Sequence, residues 1–515
     1  MLHDSFLLHA LPPTDALWAT IVAAEGHAMI RRVRATAPAL FMAVALVAPG
    51  SASVTWQPAA ATSPVRPAVS GCAGTHWVGS WAAAPSDGGV SRRVLAEQSL
   101  RMIVTPHLTG SRLRIRLTNR FGETPITLGP VTIARQKDGP SVVPGSLRPV
   151  TFDGQPTVTV PAGADAFSDT ISVRIRPFSP VAITVVVPNV VTSPTEHYIT
   201  RQTSYLSPVG SGDHAADTDG GAFTETSEVN GASTGWYFLA GIDVRSPRST
   251  GSIVTFGDSL TDGFQGQSDV VSEDLTTVDK NVRYPDFLQR RLDRRGIPLS
   301  VLNLGIGGNR VLVDGLQSQG GPSALKRYAI DALSQAGVTE VVVLEGINDI
   351  GQGHAGMIDL PVTYSLEGGV TAEQLITGYR RLIRQTHRAG VRISLGTITP
   401  SGGMIVPTYG NESADDLRRE VNRWIRSQHL SDGVIDFDAA VRDPRDRSRI
   451  KPRFDGGDHL HFSPAGNRAL ARAVNLSKLT RATCVERSTP RAPQTAETRR
   501  RPLERRPHDV VEDPQ

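Results

Sequence analysis

The sequence predicts two folded parts in series: an antiparallel β-sandwich of jelly-roll type over residues 75–247, and a three-layer α/β/α domain with a parallel sheet over residues 248–480. Three observations support this prediction. The chain has 515 residues, which exceeds one typical hydrophobic core. In the first part, apolar and polar residues alternate without a helical period. In the second part, short apolar runs alternate with helical patterns.

The first part contains many short strands. Residues 112–118 alternate in polarity, which places Leu113, Ile115 and Leu117 on one buried face and the intervening arginines in water. Glycine and proline separate this segment from the next ones. Further predicted strands lie at 157–160, 171–176, 183–187 and 237–244. Many short antiparallel strands without helices favour a sandwich.

The second part alternates strands with helices. A capping box at Thr371 and Gln374 predicts a helix that ends before Gly390, and Ser413 and Pro464 are predicted to open two more. The five predicted strands are 252–256, 299–304, 340–344, 391–397 and 433–437. This pattern indicates a parallel sheet covered by helices on both faces, and such sheets bind ligands at the carboxyl ends of their strands.

The termini indicate export. A basic segment at 31–34, an apolar stretch and small residues predict a signal peptide over 29–52, with 1–28 as an upstream extension. The apolar stretch is too short for a stable membrane span, so we expect a secreted protein. Residues 53–74 form a predicted linker, and the Arg- and Pro-rich tail 485–515 is expected to be disordered.

The charge balance argues against a nucleic-acid partner. The calculated pI is 9.2, but the net charge is only +4, with 49 Arg and five Lys among 54 basic residues. No interleaved basic and aromatic pattern accompanies these arginines. We therefore expect mixed surface charge rather than a basic binding face.

Four short motifs carry candidate chemistry. Ser259 follows the strand at 252–256, where its hydroxyl would be a nucleophile if a base activated it. Asp458 precedes His461 by three residues, so the carboxylate can hold one ring nitrogen while the other faces the serine. Gly308 and Asn348 follow the second and third strands, where a backbone N–H and a side-chain amide can face a ligand.

These motifs resemble the SGNH, or GDSL-type, serine esterases, whose four sequence blocks occur here in the same order between about 250 and 477. The resemblance implies Ser259 as nucleophile, Asp458 and His461 as its partners, and an oxyanion hole of Ser259, Gly308 and Asn348. Gly305 and Gly307 are alternatives to Gly308. It also implies a carboxylic ester hydrolase that needs no metal or organic cofactor. The preceding β-rich part resembles that of some secreted bacterial members.

Several alternatives remain open in the sequence. Ser259 alone would fit a helix N-cap, and His459 is a rival to His461 as the base. The expected substrate is a small-molecule or polysaccharide-linked acyl ester, preferably with a short acyl group. One alternative is a carbohydrate- or cell-surface-binding protein with a vestigial hydrolase domain. Another is a long-chain lipase whose acyl cleft involves the apolar loop 357–370. Oligomeric state is not encoded in these motifs.

The two cysteines, Cys72 and Cys484, predict a disulfide that pins the two ends of the folded region. Closing so long a loop contributes about 5 kcal/mol by chain entropy. The alternative is two unrelated thiols. A free-thiol assay on the unreduced, secreted protein distinguishes them: we expect no titratable thiol, and finding two would exclude the bridge.

Overall fold

The structure, a computed structural model, describes residues 73–87, 93–198, 200–226, 235–267, 270–273, 275–315, 320–352, 369–404 and 406–479. These residues belong to one compact unit, Pro67–Gln515. The upstream extension, the signal peptide, both cysteines and the C-terminal tail lie outside the described residues. The expectations about them therefore stay predictions.

The first part consists of antiparallel strands. They are β1 (Thr75–Ala82), β2 (Gln98–Val104), β3 (Gly110–Thr118), β4 (Ile126–Leu128), β5 (Val131–Asp138), β6 (Ser141–Val142), β7 (Arg148–Val150), β8 (Val158–Val160), β9 (Asp165–Phe167), β10 (Ile171–Ile175), β11 (Val181–Val187), β12 (Glu196–His197), β13 (Ser204–Leu206), β14 (Glu225–Thr226), β15 (Trp236–Tyr237) and β16 (Leu239–Pro247). One main sheet has the order β1-β16-β3-β10, with β9 beside β3. The other has the order β14-β13-β2-β11-β5-β6, with β7 beside β5. The predicted β-rich part is confirmed, and its jelly-roll connectivity stays a prediction.

One apolar core lies between these two sheets. Leu113, Ile115 and Leu117 alternate along β3 and share a buried cluster with Leu100 and Met102 of β2. Because β2 and β3 belong to different sheets, this shared cluster means that the sheets pack face to face. Burying each such side chain contributes roughly 1.5 to 3 kcal/mol.

The prediction that the β3 arginines lie in water is wrong for Arg116. Arg112 is exposed, but Arg116 is only 8% exposed. Its guanidinium donates hydrogen bonds to the carbonyl oxygen of Ala240 and to Oε1 of Gln335, which belongs to the second part. The period of two correctly assigned the inner face of β3. It gave no sign that the second part covers the outer face.

The second part contains a five-stranded parallel sheet. Its strands are β17 (Gly251–Gly257), β20 (Leu299–Gly305), β21 (Val338–Leu344), β22 (Arg392–Gly396) and β23 (Gly433–Ile435), and a hairpin of β18 (Gly266–Gln267) and β19 (Val270–Glu273) lies between the first two along the chain. The strand order is β20-β17-β21-β22-β23. All five predicted strands are confirmed to within two residues at each end. The order reverses at β17, and ligands of open α/β sheets bind beside such a switch point.

Nine α-helices fall within the described residues of this part. They are α1 (Ser259–Asp262), α2 (Tyr284–Arg294), α3 (Ala324–Tyr328), α4 (Ile347–Gln352), α5 (Ala372–Arg388), α6 (Pro407–Gly410), α7 (Glu412–Ser427), α8 (Phe437–Val441) and α9 (Pro464–Ala473). The capping box of Thr371 and Gln374 and the start at Pro464 are confirmed. The predicted start of α7 at Ser413 is wrong, because Asn411 is the N-cap and accepts a hydrogen bond from Ala414 N–H.

The two parts are joined by buried polar contacts. His107, in the loop after β2, hydrogen-bonds through Nδ1 to the carbonyl oxygen of Val301 in β20 at 2.7 Å. Arg120, just after β3, donates hydrogen bonds to Asp165 in its own part and to Asp331 in the second part, where Nη1 lies 2.5 Å from Oδ1. Asp331 is 3% exposed, so this ion pair is shielded from solvent. The sandwich is therefore anchored directly to the domain that contains the parallel sheet.

Candidate active site

The candidate site begins where β17 ends. Gly257 ends the strand, Asp258 caps the following helix, and Ser259 is the first residue of α1. The end of β20 packs against this turn so closely that a Cβ at Gly305 would overlap the backbone of Asp262. Gly305 is therefore required for the close approach of the two strand ends.

Ser259 is not the N-cap of α1. Asp258 has that role, and its Oδ1 accepts a hydrogen bond from Leu260 N–H at 2.9 Å. The Ser259 side chain is thus released from capping and points to another partner. Its Oγ lies 2.9 Å from Nε2 of His461, and both residues are buried.

The second nitrogen of His461 contacts a carboxylate. Nδ1 lies 2.6 Å from Oδ2 of Asp458. An ionised carboxylate only accepts hydrogen bonds, so the imidazole donates from Nδ1 and presents the lone pair of Nε2 to the Ser259 hydroxyl. The structure therefore brings Ser259, His461 and Asp458 into one hydrogen-bonded series, as the motif spacing predicts.

The backbone around Asp458 stabilises its negative charge. Oδ1 accepts hydrogen bonds from the N–H groups of Leu460 and His461, at 3.0 and 2.8 Å. Burial alone would raise the pKa of Asp458, but the adjacent His461 ring and these N–H groups lower it to about 2. Gly266 of β18 closes the other side, and a Cβ there would overlap the carboxylate. The sequence motifs gave no sign of Gly266.

The two histidines of this turn have different roles in the packing. The Phe264 ring lies 4.5 Å from that of His461, centroid to centroid, and limits its movement. His459 has a positive φ of 65° and pairs through Nδ1 with Oδ2 of Asp455 at 2.6 Å. His459 is therefore directed away from Ser259.

Asn348, in α4, is held in one orientation. Its Oδ1 accepts a hydrogen bond from the Tyr409 hydroxyl at 2.8 Å, so the amide nitrogen faces the opposite way. Nδ2 donates to the carbonyl oxygen of Asn309 at 2.9 Å. An amide carries two N–H groups, and the second has no acceptor within the described part of the chain. Tyr409 lies 61 positions away in sequence, and no local pattern indicated it.

At the end of β20 and in the glycine-rich loop after it, the N–H groups of the candidate glycines Gly305 and Gly308 differ in their contacts. The N–H of Gly305 already donates to Oδ1 of Asn303 at 3.0 Å. Gly308 has a φ of 74°, which favours glycine, and a Cβ there would meet only the Cα of Gly320. Neither Gly308 N–H nor Ser259 N–H has a hydrogen-bond acceptor among the residues that the structure describes. Both are available to a ligand.

The sandwich contacts the helix that carries Ser259. His197 of β12 hydrogen-bonds through Nε2 to Oδ1 of Asp262, the last residue of α1, at 3.1 Å. Its Nδ1 contacts the carbonyl oxygen of Ala84 at 2.7 Å, and its ring stacks on Trp236. These contacts are long-range in sequence, which explains why sequence motifs did not indicate them.

A buried guanidinium, that of Arg327, joins the strand ends beneath the site. It donates hydrogen bonds to the carbonyl oxygens of Gly257 and Leu304, each at 2.9 Å. Its Nε donates to Oδ1 of Asn309, also at 2.9 Å. Its Nη1 forms an ion pair with Asp331. Because the Asn309 carbonyl oxygen accepts the amide hydrogen of Asn348, Arg327 supports the whole loop that follows β20.

Three buried carboxyl groups, those of Asp258, Glu345 and Asp349, interact with one another, and Oε2 of Glu345 lies 3.7 Å from this guanidinium. Burial raises the pKa of Asp258 and Glu345, and repulsion from Asp349 raises both further. Burial also raises the pKa of Asp349 to about 6, although Val311 and Leu312 donate N–H hydrogen bonds to its oxygens. The cluster therefore retains protons at a pH where ordinary carboxyl groups have lost them.

No group of three His, Cys, Asp or Glu side chains among the described residues is arranged to hold a metal ion. No helix among them is long and apolar enough to cross a membrane.

We predict that Glu345→Gln reduces the pH dependence of stability. Because its pKa is raised in the folded protein, protonated Glu345 stabilises the fold, and its contribution to the free energy of unfolding is complete below about pH 4.3, where unfolded glutamate titrates. It is lost as pH rises through the folded pKa. Denaturant unfolding at about pH 5.5 and about pH 8 should therefore show a smaller loss of stability in the variant than in the wild type. The control is Glu373→Gln, at an exposed position. An equal change in the free energy of unfolding with pH for the wild type and both variants would refute the prediction.

Comparison with known proteins gave one family match and several structural likenesses. Residues 255–469 match the GDSL-like lipase/acylhydrolase family model. No curated protein matches the chain. An inhibitor-bound aryl esterase from M. smegmatis has 18% identity and a TM-score of 0.34, covering 44% of this chain and 96% of that one. The carbohydrate acetylesterase Est24 from Sinorhizobium meliloti has 16% identity and a TM-score of 0.33, with coverage of 44% and 96%.

A third structure extends over more of the chain. It is a carbohydrate esterase family 2 enzyme plus carbohydrate binding domain from Corynascus thermopiles, with 12% identity and a TM-score of 0.32. The match covers 78% of this chain and 96% of that one. None of these TM-scores reaches 0.5, and the assignment rests on the family model. Residues 255–469 are therefore similar to the GDSL-like lipase/acylhydrolase family, and this match supports a carboxylic ester hydrolase.

Proposed function

We propose that the protein is an exported serine esterase that cleaves short acyl groups from carbohydrates or small alcohols through an acyl-enzyme. One observation carries this proposal. Ser259 Oγ lies 2.9 Å from Nε2 of His461, whose Nδ1 lies 2.6 Å from Asp458. A nucleophile, a base and a group that orients the base are thus in direct contact.

The first half of the reaction forms the acyl-enzyme. His461 Nε2 takes the proton of Ser259 as Oγ attacks the ester carbonyl carbon. The imidazolium that results is stabilised by Asp458, which stays ionised because its pKa is about 2. The tetrahedral intermediate then collapses, and His461 gives its proton to the departing alcohol oxygen. The acyl group remains on Ser259.

The negative charge on the carbonyl oxygen needs hydrogen-bond donors. The N–H groups of Ser259 and Gly308 and the second amide hydrogen of Asn348 are suited to this role. All three are fixed before substrate binds: Ser259 by α1, Gly308 by its loop and Asn348 by Tyr409. Each such donor typically contributes about 3 to 4 kcal/mol in the transition state.

The second half releases the acid. A water molecule loses its proton to His461 and attacks the acyl carbon, and a second tetrahedral intermediate forms at the same donors. Its collapse breaks the bond to Ser259 Oγ, which recovers the proton from His461. Water is the only co-reactant in this scheme: the original proton of Ser259 leaves with the alcohol, and a proton of the water restores the Ser259 hydroxyl.

The proposed substrate range depends on the segments around the site. The apolar loop 357–370, on which the long-chain lipase alternative depends, lies outside the described residues as far as residue 368. The vestigial alternative would not require Ser259, His461 and Asp458 to keep hydrogen-bonding contact. We therefore retain the short-acyl esterase as the proposal, and export rests on the N-terminal sequence pattern.

The first functional prediction concerns the nucleophile. Ser259→Ala removes the attacking oxygen, so the kcat for p-nitrophenyl acetate should fall by about 10⁴-fold or more. Ser252→Ala in β17 serves as the matched control, because the buried Ser252 hydroxyl donates to the carbonyl oxygen of Ala336 rather than contacting His461. It should keep kcat within a few-fold of the wild type.

Equal turnover by wild type and Ser259→Ala would refute the esterase proposal. The same proteins should be assayed on acetylated xylan and on a long-chain triglyceride. Activity on acetylated xylan that is lost in Ser259→Ala supports the short-acyl range. A strong preference for the triglyceride would replace that range with the lipase alternative.

The second functional prediction concerns the oxyanion donors. Asn348→Ala should lower kcat by about 10²- to 10³-fold with little change in KM, because its amide hydrogen acts on the transition state. Tyr409→Phe removes only the hydroxyl that orients Asn348, so its effect on kcat should be smaller. Steady-state kinetics with p-nitrophenyl acetate measure both. A kcat for Asn348→Ala within threefold of the wild type would remove Asn348 from the proposed site.

A further inference from the structure

The sandwich contains a cleft whose charge is unbalanced. It has a volume of about 670 Å³, within the usual range for ligand sites. Its lining includes Arg135, Arg148, Arg174 and Arg176 but no acidic residue. We call this feature the arginine cleft. Four positive charges with no counter-charge in one concave site repel one another until an anion binds.

These four arginines differ from others in the sandwich. Arg114 pairs with Asp243, and Arg120 pairs with Asp165 and Asp331. In contrast, none of the four cleft arginines forms an ion pair with a carboxylate in the described part of the chain. All four side chains are exposed. They are therefore available to a ligand that carries negative charge.

The frame of the cleft is fixed by the fold. One wall is β10, an edge strand that pairs with β3, and four of its five residues line the cleft. The opposite wall comes from β5 and the start of β7, where Arg148 donates hydrogen bonds to the carbonyl oxygens of Gly145 and Leu147 in the preceding turn. This holds the Arg148 side chain in place before any ligand binds, which lowers the entropic cost of binding.

The remaining lining residues suit a sugar. Ser172 and Ser179 supply hydroxyl groups, and Phe178 supplies an aromatic ring. That ring is held by His107, 5.0 Å away between centroids, and by the Arg290 guanidinium, 4.2 Å from its centroid. Guanidinium groups bind carboxylate and phosphate with paired hydrogen bonds. The positive charge and the hydroxyl groups together fit a negatively charged carbohydrate.

The distribution of the arginines over two walls favours a polymer over a single small anion. Arg174 and Arg176 are two residues apart on and just after β10, whereas Arg135 and Arg148 lie on the opposite wall. A chain with repeated charges can satisfy both walls at once. A membrane surface fits less well, because none of the exposed large apolar side chains identified among the described residues lines the cleft.

We propose that the arginine cleft is a binding site for a polysaccharide that carries carboxylate or phosphate groups. This site is separate from the Ser259 site and extends the proposed function from hydrolysis to substrate retention. Binding of the polymer does not require turnover. The proposal can therefore fail while the esterase proposal holds, and the reverse.

The test measures binding of the full chain to polygalacturonate, phosphomannan and neutral galactan by affinity electrophoresis. We expect binding to at least one of the two anionic polymers, weakening as salt increases, and no binding to galactan. Arg174→Ser/Arg176→Ser should weaken the binding at least tenfold. The control is Arg381→Ser/Arg384→Ser on α5, which removes the same charge from exposed positions and should bind within twofold of the wild type.

Thermal unfolding and p-nitrophenyl acetate turnover of both double variants establish that they are folded. Equal binding by the two double variants would overturn the proposal, as would equal binding to galactan. Failure to bind either anionic polymer would also overturn it. Phosphatidylglycerol vesicles form the last arm: cleft-dependent binding to vesicles without binding to polymers would replace the polysaccharide with a membrane surface.

Discussion

The Arg327 guanidinium is the interaction on which the site depends most. It is buried, and it hydrogen-bonds the ends of two strands through Gly257 and Leu304 and the following loop through Asn309. The carbonyl oxygen of Gly257 also accepts the N–H of Ile306 at 3.0 Å, so the guanidinium adds a second donor there. One cation thus bridges the turn that carries Ser259 and the glycine-rich loop after β20, and it fixes their positions relative to each other.

The charge of Arg327 also determines how acidic groups are tolerated nearby. Glu345 is buried 3.7 Å from it and interacts with the buried Asp258 and Asp349, so more than one full negative charge in this cluster would be costly. Their raised pKa values show how the cost is reduced, because protons neutralise part of the cluster. Asp458 differs, since a histidine and two backbone N–H groups keep it ionised. The fold thus raises the pKa of three buried carboxyl groups and lowers the pKa of Asp458.

Local patterns predicted the parts of the molecule that are local in origin. Strand periodicity identified the five strands of the parallel sheet, and short motifs identified Ser259, Asp458 and His461. The supporting residues were not predictable in this way. Gly266, Tyr409 and His197 reach the site through contacts between distant segments. The burial of Arg116 was missed for the same reason: alternation defines two faces of a strand but not what covers each.

The shared position of Asp331 has a consequence for inheritance. This carboxylate receives one guanidinium from each part, Arg120 from the sandwich and Arg327 from beneath the active site. Recombination that exchanged the sandwich for that of a distant relative would remove one of these cations and leave Asp331 buried with an altered charge balance. Selection should therefore transmit the two parts together as one gene segment, although each has its own sheets.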